Sequence, residues 1–188
     1  MRSIMSSLLL GFALVFQAAA QAAGGFTVTS QAFSDGGTIP MSQVFNSFGC
    51  TGGNHSPELS WSGAPAGTKS FAVTIYDPDA PTGSGWWHWT VFNIPAGVTH
   101  LPADAGAEKP AGLPPGAVQG RTDFGFSHFG GPCPPVGDAP HHYQVTVYAL
   151  KVDKLSLDAN ASGAMLGYYL HMNMLGKATI TGLFGRSK

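Results

Sequence analysis

Four polar side chains stand where chemistry is expected of them: Asp77, His88, His141 and Tyr143, each near the end of a segment that reads as a β-strand. Asp77 continues the face of Phe71, Val73 and Ile75 and emerges where Pro78 stops the strand, so a carboxylate sits at the lip of an apolar face. His141 and Tyr143 are two apart in an extended segment and project from one side, with His142 opposite. His88 is flanked by Trp87 and Trp89 near the start of another strand. Just before His141 runs Gly130-Gly-Pro-Cys-Pro-Pro-Val-Gly137, stiff and poor in side chains. Backbone of that kind approaches a ligand closely, and its free N–H groups can hold an oxyanion.

The chemistry these residue types offer first is anion binding. Imidazoles and a phenol donate to phosphate oxygens, while Asp77 accepts from a protonated oxygen or orients an imidazole. That carboxylate repels a fully ionised phosphate, which favours monoanions and zwitterionic head groups. Two imidazoles with ordinary pKa values of about 6.5 would bind an anion more tightly as pH falls from about 8 towards 6. The alternative chemistry is a hydrolase or lyase with Asp77, His88 and His141 as acid/base groups. No nucleophile elbow supports it: Thr82-Gly-Ser-Gly85 lacks the leading glycine. A metal site from the same three residues has no His-Glu-x-x-His pattern behind it, and none is expected. Each residue also has an ordinary structural use. Asp77 and Asp79 could cap a turn around Pro78, and each histidine could be satisfied in the core.

The elements that must position these groups are mostly strands. Phe26–Thr29, Ser70–Tyr76, Trp87–Ile94 and His141–Leu150 read as extended, and Ala178–Thr181 as a short final strand. Residues 95–140 form a long Gly/Pro region with a few short strands at most, and loops of that length are uncommon unless functional. Residues 161–174 carry helical spacing, with Met165, Leu166, Tyr169, Leu170 and Met174 as an apolar stripe that packs on the sheet. Twenty-six glycines and 14 prolines, against two glutamates (Glu58 and Glu108), fit a β-sandwich with one peripheral helix.

Charge is low and balanced, with nine Lys and Arg against ten Asp and Glu, so nucleic acid and anionic membranes are not expected partners. Residues 1–22 read as a cleavable signal peptide. Arg2 precedes the apolar run Leu8–Phe16, and the small residues that follow allow cleavage after Ala20 or Ala22. The remainder, residues 23–188, has the length of one domain, periplasmic or secreted. In that oxidising setting the only two cysteines, Cys50 and Cys133, are expected to pair, the alternative being two buried thiols. Their bond would brace the Gly-Pro loop against the Gly-rich loop before Trp61.

These strings, taken in order, resemble the phosphatidylethanolamine-binding protein family. The matching segments are Asp77-Pro-Asp-Ala-Pro81, Gly85-Trp-Trp-His-Trp89, Gly131-Pro-Cys-Pro-Pro135 and His141-His-Tyr143, with Cys50-Thr-Gly-Gly-Asn-His-Ser-Pro-Glu-Leu-Ser-Trp61 upstream. The likeness is to its bacterial, Raf kinase inhibitor-like branch of the YbhB/YbcL type, and runs from about Phe26 to Arg186. It implies a large antiparallel sheet packed on a smaller one, with an anion pocket at one end. It also implies that Asp77, His88, His141 and Tyr143 line that pocket and that Gly131 and Pro132 form its wall. The implied ligands are phosphate, phosphorylated groups or phospholipid head groups, with no cofactor and no catalytic residue, and with inhibition of a kinase or protease as an associated role. His142 stands where an Arg is common in the family, and Asn173 where bacterial relatives often carry a His. The roles of His171 and Asn173 are left open.

Overall fold

The computed structural model describes residues 25–188; the proposed signal peptide lies outside the described residues. Eight strands and one helix follow in order: β1 Thr27–Thr29, β2 Leu59–Ser62, β3 Ser70–Asp77, β4 Trp86–Pro95, β5 His100–Leu101, β6 Val118–Gln119, β7 His141–Leu150, α1 Gly163–Asn173 and β8 Met174–Phe184. The described residues are thus mostly β, as expected. A three-stranded sheet has the order β1-β2-β5, and a five-stranded sheet the order β6-β4-β3-β7-β8, with every pairing antiparallel.

The main core fills the space between the sheets. Phe71, Val73, Ile75, Trp89, Val91, Val145 and Val147 supply it from the large sheet, against Val28, Leu59, Trp61 and Leu101 from the small one. The other face of the large sheet is covered as well. Ala72, Phe92 and Leu150 pack there with Leu155, Leu166 and Leu170. Burial on both faces explains why β3 reads as a nearly continuous apolar run.

Two expectations need correction. The final strand is 11 residues long, and it pairs with β7 over that strand's whole length. Its own sequence alternates weakly, so the long neighbour dictates its extent. The helix buries a narrower stripe than its spacing implied: Leu166 and Leu170 are buried with Gly163, whereas Met165 is 52% exposed and Met174 lies beyond the helix as its C-cap. The start is fixed by Ser162, whose side chain accepts from the Met165 N–H at 3.2 Å. No helix among the described residues is long and apolar enough to cross a membrane.

Candidate functional site

The antiparallel order of the large sheet gathers three strand ends at one corner. The C-terminal end of β3 lies between the N-terminal ends of β4 and β7, since Asp77 faces Trp86 and Tyr76 faces Gln144. Asp77, His88, His141 and Tyr143 meet there, at 2%, 3%, 4% and 1% exposure. All four line one cavity of about 160 Å³.

How His88 reaches that cavity depends on a β-bulge. The register passes from Ile75↔Trp89 to Tyr76↔Trp87, so His88 has no partner on β3. Trp89 points into the core between the sheets. Trp87 lies on the other face, so close to the helix that a Cβ added to Gly163 would fall 2.2 Å from its ring. Strict alternation from Trp89 would have sent His88 and Trp86 to the helix side. The extra residue resets the phase, and both line the cavity instead.

Each ring is pinned by its Nδ1. The His141 Nδ1 lies 2.8 Å from Asp77 Oδ2, and Asp77 Oδ1 accepts from the Asp79 N–H at 2.9 Å. The His141 Nε2 lies 3.6 Å from Asp138 Oδ2, which does not line the cavity. The His88 Nδ1 donates to the Gly130 carbonyl at 2.7 Å, and the Gly130 N–H donates back to the His88 carbonyl at 3.0 Å. His142 faces away, as its parity predicts. Its ring and backbone N–H bind Asp79 Oδ2 at 2.8 and 2.7 Å. Burial alone would raise the Asp79 pKa, but those bonds outweigh it and hold the carboxyl below its ordinary value.

Burial pushes the His88 pKa down to about 4, and the Gly130 carbonyl and Asp77 offset it only in part. The ring is therefore neutral between pH 8 and 6, and the expected gain in anion affinity over that range cannot come from His88. Its chemical shifts should stay flat from pH 8 to about 5 in an NMR titration; an inflection near 6.5 would refute the assignment. Because the folded pKa is depressed, the unfolded chain takes up this proton first. His88 thus leaves stability intact above about pH 6.5 and lowers it as pH falls towards 4, by on the order of 3 kcal/mol in all. Tyr143 moves the other way. Burial, with the Asp77 charge added, raises its phenol far above the ordinary value of about 10, so it stays a hydroxyl.

The wall differs from the expected one. Cys133, Pro134 and Pro135 line the cavity, with Gly131 and Pro132 one layer behind them. The Gly131 N–H donates to Asn54 Oδ1 at 2.8 Å, and Pro132 accepts from the Phe45 N–H at 3.0 Å. A Cβ on Gly131 would lie 2.0 Å from the Gln43 carbonyl, so this contact requires glycine. The two loops are thus seamed, and the expected Cys50–Cys133 disulfide joins them with a Cα–Cα distance of 6.0 Å. Arg186 adds a clamp, donating to the Pro134 and Gly49 carbonyls at 3.2 and 3.0 Å. Phe48, Trp86 and Phe124 also line the cavity, beside Ala80, Pro81 and Thr82, and were not foreseen. Trp86 is hidden from a parity argument by the bulge, and the two phenylalanines lie on loops that carry no periodic signal. Asn173 and His171 do not line the cavity: Asn173 donates to the Tyr169 carbonyl within its own helix, and His171 is exposed.

The family model for phosphatidylethanolamine-binding protein matches residues 29–185. The chain belongs to this family. The Escherichia coli (strain K12) relative YbcL is 57% identical over 180 residues, covering 96% of this chain and 98% of that protein. YbhB of the same strain is 50% identical over 150 residues, covering 80% and 94%. The crystal structure of E. coli YbcL, described as a member of the mammalian family, superposes with a TM-score of 0.84 at 61% identity, covering 85% of this chain and 98% of that one. The family's fold is thus the one described here, with the large sheet stacked on the small one.

Proposed function

We propose that this protein is an exported, non-catalytic binding protein whose corner cavity takes the phosphate of a small phosphorylated ligand or of a phospholipid head group. The observation that carries this reading is the Tyr143 hydroxyl. It is buried at the cavity beside the Asp77 carboxylate and makes no hydrogen bond of good geometry to any described residue. A buried hydroxyl left unpaired costs roughly 1–3 kcal/mol, and such a cost is retained where a ligand supplies the partner. The small volume suits a head group or a phosphorylated side chain, so inhibition of a kinase or protease would run through the same cavity. Covalent hydrolase action lacks a hydroxyl or thiol nucleophile among the lining residues, since Cys133 is in the disulfide and the Thr82 hydroxyl is committed to the Gly85 carbonyl; acid/base action by Asp77, His88 and His141 is the alternative that turnover assays address.

Tyr143→Phe tests the reading in two directions at once. The variant should be about 1 kcal/mol more stable without ligand, because the orphan hydroxyl is gone. It should bind phosphoethanolamine about tenfold more weakly by calorimetry, because an anion loses its donor. Unchanged affinity, or steady phosphate release from an ester, would overturn the proposal. Export rests on the order of Arg2, the apolar run and the Ala-rich segment, together with the disulfide. The native protein should begin near Gln21 or Ala23 by intact mass. A full-length chain recovered from the cytoplasm would refute it.

A further inference from the structure

Resting on the oxyanion reading above, we infer that the cavity selects oxyacids that still carry a proton: it takes a phosphate monoester as its monoanion, which narrows the phospholipid head group to its free monoester form, and disfavours diesters, intact phospholipids included, and sulfate. The argument is an inventory of hydrogens and lone pairs. The Gly130 carbonyl only accepts, so the His88 hydrogen sits on Nδ1 and the neutral ring leaves Nε2 as a lone pair for the cavity. The His141 ring is spent on carboxylates, its Nδ1 2.8 Å from Asp77 Oδ2 and its Nε2 3.6 Å from Asp138 Oδ2. Asp77 takes hydrogens from His141 and Asp79 and brings none of its own. Against these acceptors stands the Tyr143 hydroxyl, which lies beside Asp77 without a well-formed bond to it.

Among the described residues no Lys or Arg side chain lines the cavity, and Arg186 spends its guanidinium on backbone carbonyls behind the wall. The charged and titratable groups around His88 and His141 are Asp77, Asp79, Asp123, Asp138 and the His142 imidazole. A fully deprotonated ligand would set its lone pairs against those of Asp77 and His88 with one hydrogen to share. A monoester monoanion resolves the mismatch: its P–OH donates to the His88 Nε2, and a terminal oxygen accepts from Tyr143. The polarity of His88 supports the arrangement, since burial keeps the ring neutral well below pH 6.

Ethyl phosphate and dimethyl phosphate are isomers that isolate this one hydrogen. At about pH 5 both carry a single negative charge, but only the monoester has a hydrogen on oxygen. Calorimetric or NMR titration of the folded protein should give ethyl phosphate at least about tenfold tighter than dimethyl phosphate, with sulfate as weak as the diester. In His88→Asn the amide can still reach the Gly130 carbonyl but the second ring nitrogen is gone, so the ratio should fall towards one. Equal binding of the two isomers by the native protein would overturn proton selection while leaving the oxyanion site standing. No binding of either, with none of phosphoethanolamine, would overturn the oxyanion reading itself and this inference with it.

Discussion

Replacing Cys50 and Cys133 by serine should lower the unfolding free energy by roughly 2–5 kcal/mol, the largest stability effect expected from any surface-loop change in this protein. The bond spans 83 residues of sequence, and closing so long a loop in the unfolded chain is worth about 4–5 kcal/mol in the chain-entropy account. Two further ties act in the folded state. Asn54 holds the Gly131 N–H, and Arg186 joins Pro134 to Gly49. They are local and act only once the loops have met, so they cannot replace a covalent constraint on the unfolded ensemble. Urea unfolding of the double variant, beside the native protein with and without reductant, measures the difference. A loss below about 1 kcal/mol would show that packing and the Arg186 clamp suffice. Native, non-reduced protein should also resist alkylation at both positions. Because Cys133 is itself part of the lining, the variant should bind phosphoethanolamine less tightly as well.

His141→Ala should weaken phosphoethanolamine binding about ten- to a hundredfold, and His142→Ala less than about twofold. The contrast comes from two side chains one residue apart. His141 lines the cavity, and its Nδ1 is one of two hydrogen-bond donors that Asp77 has. Its loss opens the lining and takes from the buried Asp77 carboxylate the donor that orients it, so His141→Ala should also lose stability, by roughly 1–3 kcal/mol. His142 has a side chain 56% exposed, bound to an Asp79 that is itself 41% exposed. Pairs of that kind contribute little, and Asp79 keeps the His142 backbone N–H in the variant. Titration of both variants beside the native protein decides the matter. Equal losses would place the ligand elsewhere, and His141→Asn, which can still donate to Asp77, separates a binding defect from a folding one.

The amino-acid sequence alone determined the features that depend on short-range periodicity or on a unique choice. The two-residue period of a strand set His141 and Tyr143 on one side and His142 on the other, and the buried–exposed–buried pattern along β7 follows it. With only two cysteines, one pairing was available. Pro78 at the end of β3 placed Asp77 at a rim whatever the rest of the chain did. Tertiary structure decided what depends on counting against a partner strand. One unpaired residue in β4 turns His88 and Trp86 towards the cavity, and no property of that segment alone marks where the count slips. The wall is a second case. Gly131 and Pro132 share a motif with Cys133 and Pro134, but the seam to Gln43, Phe45 and Asn54 pulls the first pair behind the second. Phe48 and Phe124 reach the cavity from loops 76 residues apart, brought together only when the sheets stack and the disulfide closes. Most consequential is the depressed pKa of His88, which turns an expected cation into an acceptor. Desolvation causes it, and desolvation is a property of the assembled surroundings rather than of a residue or its neighbours in sequence.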